Sequence, residues 1–214
     1  MTAGLTIYND GGTVQVDENY RNLLLQNSGV NGNPSATGIT YPLCAVQCAD
    51  TCLAIGVNSG SSISYGVLKE GTSNHNWWVF DLADTPAGNS GLQVYTADGK
   101  LAYDSLRKAL RVVDYMKFSN NSWVGQSFSY PAGKSYAVII GKYGVKSTRE
   151  RLNSGIDGYE MQEITRLSGA KVVGNVITLD WVISRDVTYY DSNPNQYDVE
   201  RPIMDMLVVN VTNY

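Results

Sequence analysis

Gly4-Leu5-Thr6-Ile7-Tyr8 returns as Gly91-Leu92-Gln93-Val94-Tyr95, displaced by 87 positions (91 − 4). At the same displacement Gly12 meets Gly99, Val14 meets Leu101, Val16 meets Tyr103 and Asp17 meets Asp104. The match runs on without a gap through Arg21 and Lys108, Leu23 and Leu110, and Leu25 and Val112. Each copy reads as a hairpin: an alternating strand, a turn, and a return strand. In the first, Leu5 and Ile7 share the face expected to enter a core, Asn9-Asp10-Gly11-Gly12 turns, and Thr13 to Asp17 returns. The second turns at Thr96-Ala97-Asp98-Gly99. Asp and Gly supply the local hydrogen bonding and positive φ of such turns, so their recurrence has a structural cause. Asp17 and Asp104, at matching strand ends, read as caps of the following turn; calcium would need several more oxygen ligands close by.

Beyond the hairpins the halves drift. Thr40-Tyr41-Pro42 followed by Leu53 to Gly56 faintly echoes Ser129-Tyr130-Pro131 followed by Val138 to Gly141. Strand-like runs also occur at Trp77 to Asp81, at Lys171 to Ser184 around Gly174-Asn175, and at Met206 to Val211. Ser147 to Leu152 and Tyr159 to Leu167 each read as a turn or two of helix, Ser105 to Val113 is ambiguous, and Gly29 to Gly38 and Ser192 to Gln196 read as loops. The expected fold is all-β and mostly antiparallel, either a β-sandwich or two packed β-modules built around the repeated hairpin. The modules would be 1–87 and 88–214, divided at the Thr85 to Ser90 loop or packed as a single domain.

Composition supports strands and excludes several functions. With 21 Gly and 15 Tyr in 214 residues and only 17% charged residues, short strands and turns are favoured. The net charge is −4 and the 16 Lys and Arg are scattered, which is not the footprint of a nucleic-acid binder. The start at Met1 has no basic-then-apolar signal pattern and no apolar run spans a bilayer, so synthesis in a cytoplasm is expected.

Chemistry-bearing residues are few. Cys44, Cys48 and Cys52 are evenly spaced, but structural zinc takes four Cys or His ligands and the single histidine, His75, is 23 positions (75 − 52) beyond Cys52. They read as reduced, half-buried thiols, with no metal and no cofactor. Neither a Gly-x-Ser-x-Gly elbow nor a P-loop is present, and no pair among the 20 Asp and Glu stands out as a glycosidase dyad. No catalytic residue is assigned. Trp77 and Trp78 point to opposite faces of one strand, so at most one could line a sugar-stacking groove, and plain packing is the favoured reading. With Tyr189 and Tyr190 they are the candidate receptor or interface aromatics.

Trp78-Val79-Phe80-Asp81, a short Pro/Gly/Ser loop, Gly91 to Ser105 and Leu110-Arg111-Val112-Val113-Asp114 together resemble a segment of uncharacterised structural proteins encoded by tailed bacteriophages and prophages. The resemblance covers residues 78–114. The N-terminal copy departs from it after Asp17, where Glu18-Asn19 replaces the usual small residue. It implies a non-enzymatic component of the virion, in the tail or tail tip, made in the bacterial host cytoplasm. The implied partners are other tail proteins and copies of the chain in three- or six-fold symmetry, with no nucleic acid and no membrane span. The alternative is a receptor- or glycan-binding module of a tail fibre.

Overall fold

The computed structural model describes residues 6–8, 14–17, 21–60, 62–155 and 158–214. It is all-β and antiparallel: apart from one 3-10 turn, Asn121–Trp123, every regular element described is a strand. No helix among the described residues is long and apolar enough to cross a membrane.

The two hairpins are the same object. In the first, β1 (Thr6–Tyr8) pairs β2 (Val14–Asp17), with Thr6 opposite Asp17, Ile7 opposite Val16 and Tyr8 opposite Val14. In the second, β9 (Gln93–Tyr95) pairs β10 (Leu101–Asp104), with Gln93 opposite Asp104, Val94 opposite Tyr103 and Tyr95 opposite Leu101. Every pair is shifted by the same 87 positions (93 − 6, 104 − 17), and the register slips at the same step, leaving Gln15 and Ala102 as the equivalent bulged residues. In the second turn Gly99 has φ +79°, its N–H donates to Thr96 O (2.9 Å), and Lys100 N–H donates to Thr96 Oγ1 (3.0 Å). Asp104 is buried and accepts from the N–H groups of Ala87 (2.7 Å) and Leu106 (2.9 Å), which ties the loop before the hairpin to the turn after it.

One expectation about the repeat needs correction. Leu5 lies outside the described residues, but Leu92 is 40% exposed and lies between a bend at Gly91 and its strand, while Val94 and Leu101 are the residues that point inward. Leu101 packs with Leu24 and Ala83. Leu101→Ala is therefore expected to cost about 2–5 kcal/mol and Leu92→Ala less than about 0.5 kcal/mol. Urea denaturation of the two variants decides this, and equal costs would refute the placement.

The correspondence extends past the hairpins. A six-stranded sheet has the order β11 (Val112–Phe118), β18 (Met204–Asn210), β13 (Tyr136–Lys142), β5 (Leu43–Cys48), β8 (His75–Asp81), β3 (Leu24–Val30). The edge strands β3 and β11 carry bulges at Gln26 and Val113, again 87 apart (113 − 26). Phe80 lies opposite Leu25 before one bulge as Val209 lies opposite Val112 before the other. The second sheet runs β12 (Ser127–Ser129), β16 (Val176–Asp191), β15 (Gly158–Val173), β6 (Cys52–Asn58), β7 (Ser62–Lys69), β4 (Ser35–Thr37). Both orders read the same from either end: β3, β5, β8, β4, β6 and β7 answer to β11, β13, β18, β12, β15 and β16. A pseudo-twofold axis therefore passes between β5 and β13 in one sheet and between β6 and β15 in the other. Besides the strand ladders, Leu24 bridges Ala109, and Leu110 N–H donates to Leu23 O (2.8 Å), joining two residues that the repeat equates.

Side chains obey the same axis. Ile63 and Ile177, Tyr65 and Leu179, and Ala36 and Phe128 face the core between the sheets, while Leu53 and Leu167, with Leu68 and Val182, face the other way. That inter-sheet core also holds Val46, Trp77, Val79, Trp123, Tyr136, Val138, Met206 and Val208. Where the axis crosses β6 and β15 the backbones nearly touch. A Cβ on Gly169 would sit 2.8 Å from Cys52 O, so only glycine fits. Both sheets thus take strands from both sides of the Thr85 to Ser90 loop. The echo between Leu53 to Gly56 and Val138 to Gly141 is not structural, because the former lies in β6 and the latter in β13, which belong to different sheets.

Candidate interaction surface

The second half departs furthest from the symmetry at one place. Equivalent strands are 94 apart at the first axis (Ala45 and Ile139), 114 apart at Leu53 and Leu167, and 129 apart at Phe80 and Val209. The second half thus carries 20 extra residues (114 − 94) between β13 and β15 and 15 more (129 − 114) between β16 and β18. The two insertions pair with each other. β14 (Val145–Gly155) turns back into β15, and β17 (Tyr197–Arg201) pairs with β14, so the ribbon order is β17-β14-β15-β16. A bulge at Ser184, between the pairs Thr165–Arg185 and Arg166–Ile183, marks where the sandwich ends and this arm begins. Gly144 sits at the arm's base, where a Cβ would lie 2.9 Å from Arg201 O, and its N–H donates to Ser168 Oγ (2.8 Å).

Ser147 to Leu152 and Tyr159 to Leu167, expected as helical turns, are therefore strand throughout. Polar residues here carry no period-2 apolar signal, and ladder pairing on both sides decides their conformation. Gly29 to Gly38, expected as a loop, likewise holds the end of β3 and all of β4.

Directly paired residues in a ladder share a face, which divides the arm's side chains in two. One face centres on Arg149, which is buried and ion-paired to Asp191 (2.5 Å). It also donates to Asn193 O (3.2 Å) and lies 5.7 Å from the centre of the Tyr189 ring. Tyr189 OH reaches Glu163 (3.4 Å), Arg185 pairs with Glu163 (3.6 Å), and Met161 beneath them is fully buried. These contacts lock the strands together. The opposite face holds Tyr190, Glu160, Glu150, Asp186, Asp198 and Glu200 against Lys146 and Arg166. It is acidic, and its ion pairs, Lys146 with Asp198 (3.9 Å) and Glu200 (3.8 Å), are long and solvated, each worth at most about 1 kcal/mol. Tyr190 rises from it 76% exposed, the most exposed large apolar or aromatic side chain among the described residues.

The four aromatics singled out from the sequence part company. Trp77 is buried between the sheets, donates its indole N–H to Asn31 O (2.8 Å), and covers Gly29, where a Cβ would come within 2.6 Å of the ring. Trp78 is buried on the opposite side of the same sheet with Ala45, Phe80, Ile139 and Val209. Tyr189 is held within the arm, and only Tyr190 offers a free ring. The three thiols are free and wholly buried, deeper than the half-buried placement expected.

Among the described residues no three His, Cys, Asp or Glu side chains are grouped to hold a metal ion. A shallow depression between β14 and β17, lined by Thr148, Arg149, Glu150, Gln196, Tyr197 and Asp198, is open to solvent. No family model, curated protein or solved structure matches the chain.

Proposed function

We propose that this chain is a non-enzymatic structural component of a tailed-phage particle, in the tail or tail tip, assembled with other tail proteins and with copies of itself. Besides the resemblance over residues 78–114, the observation that carries the reading is the arm. A sandwich that is otherwise pseudo-symmetric extends one four-stranded ribbon from one half alone, built on the ion pair of buried Arg149 with half-buried Asp191 and ending in an acidic face with a free tyrosine. A rigid projection with an exposed edge strand suits docking to a neighbouring subunit, because unpaired edges and bare aromatic rings are the groups that assemblies cover. Mass spectrometry of purified particles is expected to find the chain at fixed stoichiometry, and its absence from particles would refute the reading.

A second reading, a receptor- or glycan-binding module of a tail fibre, is favoured by Tyr190 alone. Because Trp77 and Trp78 are buried, replacing them would damage the fold and say little about binding. Tyr190→Ala should leave the fold unchanged and separates the two readings. Lost incorporation into particles supports assembly, whereas normal particles that fail to adsorb support receptor binding.

A further inference from the structure

We propose that the acidic face of the arm docks onto a cationic cap at the opposite end of a second copy of the chain, so that copies join head to tail. This rests on the reading above, that copies of the chain assemble through the arm, and names the surface that receives it. The strand directions separate the two surfaces. β13 begins with Tyr136 opposite Asn210 and ends with Lys142 opposite Asp205. The arm leaves from this second end, past Gly144, and the 11 residues of β14 carry it about 33 Å outward at about 3.3 Å per residue. It points away from its own first end and cannot fold back onto it.

The cap lies at the first end. Lys108 and Arg111 lead into β11 and Lys134 leads into β13, and all three are exposed. They gather around residues 212–214. Lys108 donates to Asn213 O, and Arg111 donates to Thr212 O (2.6 Å) and to Tyr214 OH (3.0 Å). Ser135 N–H, next to Lys134, donates to Thr212 Oγ1 (2.9 Å). The Tyr214 ring, centred 4.6 Å from the Arg111 guanidinium and 5.3 Å from Lys108 Nζ, holds these two cations side by side. Among the described residues none of the three pairs with a carboxylate. The carboxylates nearby are occupied: Asp81 and Asp104 are buried on backbone N–H groups, Asp84 pairs with Arg21 (2.6 Å), and Asp114 accepts from Tyr130 OH (2.8 Å).

The arm carries the complementary charge. Glu150, Glu160, Asp186, Asp198 and Glu200 share one face with only Lys146 and Arg166, a net charge of −3 (2 − 5). Tyr190 stands exposed among them, a free ring for a cation of the cap. Two arms do not suit each other, because a twofold contact of arm on arm sets carboxylate against carboxylate. With the complementary surfaces at opposite ends of one chain the contact is heterologous. Repeated copies then close into a ring or run on as a filament, according to the rotation between neighbours.

Sedimentation velocity of the purified full-length chain tests this. Association is expected at about 0.05 M salt and should weaken at least about tenfold by about 0.5 M, where exposed charges are screened. Glu150→Lys/Asp186→Lys reverses the arm and Lys108→Glu/Lys134→Glu reverses the cap, and each variant alone should associate at least about tenfold more weakly than the native chain. Mixed in equal amounts the two should associate again, because the native arm of one meets the native cap of the other and the two reversed surfaces also match. If either double variant loses its circular dichroism signal, the single variants Glu150→Lys and Lys134→Glu, both at exposed positions, take their place. The proposal is overturned if the native chain stays monomeric, if association withstands either reversal, or if the mixture of folded variants stays apart. The measurement uses the isolated chain, so its failure is distinct from absence of the chain from phage particles, which would refute the assignment to the virion.

Discussion

Trp123→Ala is expected to cost about 3–5 kcal/mol. Trp123 is fully buried although it belongs to a 3-10 turn in a connection, not to a strand. Asn120 caps that turn by accepting from Ser122 N–H (3.0 Å). The indole N–H donates to Pro202 O (3.0 Å), and the ring lies 4.8 Å from that of Trp181. The residue therefore joins three pieces of chain: the β11–β12 connection, the sheet strand β16, and the base of the arm where β17 gives way to β18. Alanine would open a cavity of indole size and leave the Pro202 carbonyl without its donor. Trp123→Phe keeps most of the apolar volume and loses the hydrogen bond, so it should cost roughly 1–2 kcal/mol. Equilibrium urea unfolding followed by circular dichroism measures both. A loss below about 1 kcal/mol for the alanine variant would mean that the turn can collapse onto the gap.

The second large effect is expected at Asp81, the buried last residue of β8. Its carboxylate accepts three backbone N–H groups, from Thr40 (2.6 Å), Tyr41 (2.7 Å) and Leu82 (2.7 Å). It thereby fastens the segment leading into β5 to the end of β8, two strands that already pair, with Leu43 opposite Phe80. Charge-assisted bonds of this kind contribute about 1.5–3 kcal/mol each before compensation, but the Thr40 and Tyr41 donors lie near the surface and can recover water. Asp81→Ala should therefore cost about 2–4 kcal/mol in total. Asp81→Asn retains one acceptor oxygen while turning an amide N–H toward a donor, and about 1–2 kcal/mol is expected. Hydrogen exchange should show the loss concentrated at the amides of residues 40, 41 and 82. Unchanged protection there would show that the carboxylate does not hold this corner.

Asp81 and Asn210 end equivalent strands and use the same device with different chemistry. Asn210 Oδ1 accepts only Thr212 N–H (3.0 Å), whereas Asp81 holds three donors. The pseudo-twofold axis thus constrains backbone and apolar packing more strictly than it constrains polar side chains. An apolar residue in a shared core must match in volume, while a polar one need only satisfy whichever N–H groups the local loop presents.

The sequence by itself determined the hairpin, its turn chemistry and its repetition. A two-strand unit with an Asp/Gly turn is specified by neighbours within about fifteen residues, and such local preferences survive in the linear pattern. The strands at Trp77 to Asp81, around Gly174-Asn175 and at Met206 to Val211 were legible for a related reason, since each buries apolar residues in quantity. Only the tertiary structure decided the rest. The pseudo-twofold sandwich joins strands whose displacement along the chain changes from 87 to 94 to 114 to 129, so no single sliding offset reveals it. Val94 is buried as expected, but Leu92 is not, because a bend before β9 turns Leu92 outward, and alternation is informative only inside a strand. The arm was hidden because its strands bury little apolar surface and are held by backbone ladders and by Arg149, and both the β14–β17 ladder and the Arg149–Asp191 ion pair join residues more than 40 positions apart (191 − 149). Which of two adjacent tyrosines is free followed from the same arrangement. Tyr189 and Tyr190 are indistinguishable in composition, and ladder pairing to Met161 and Glu160 puts the first on the face locked by Arg149 and the second into solvent.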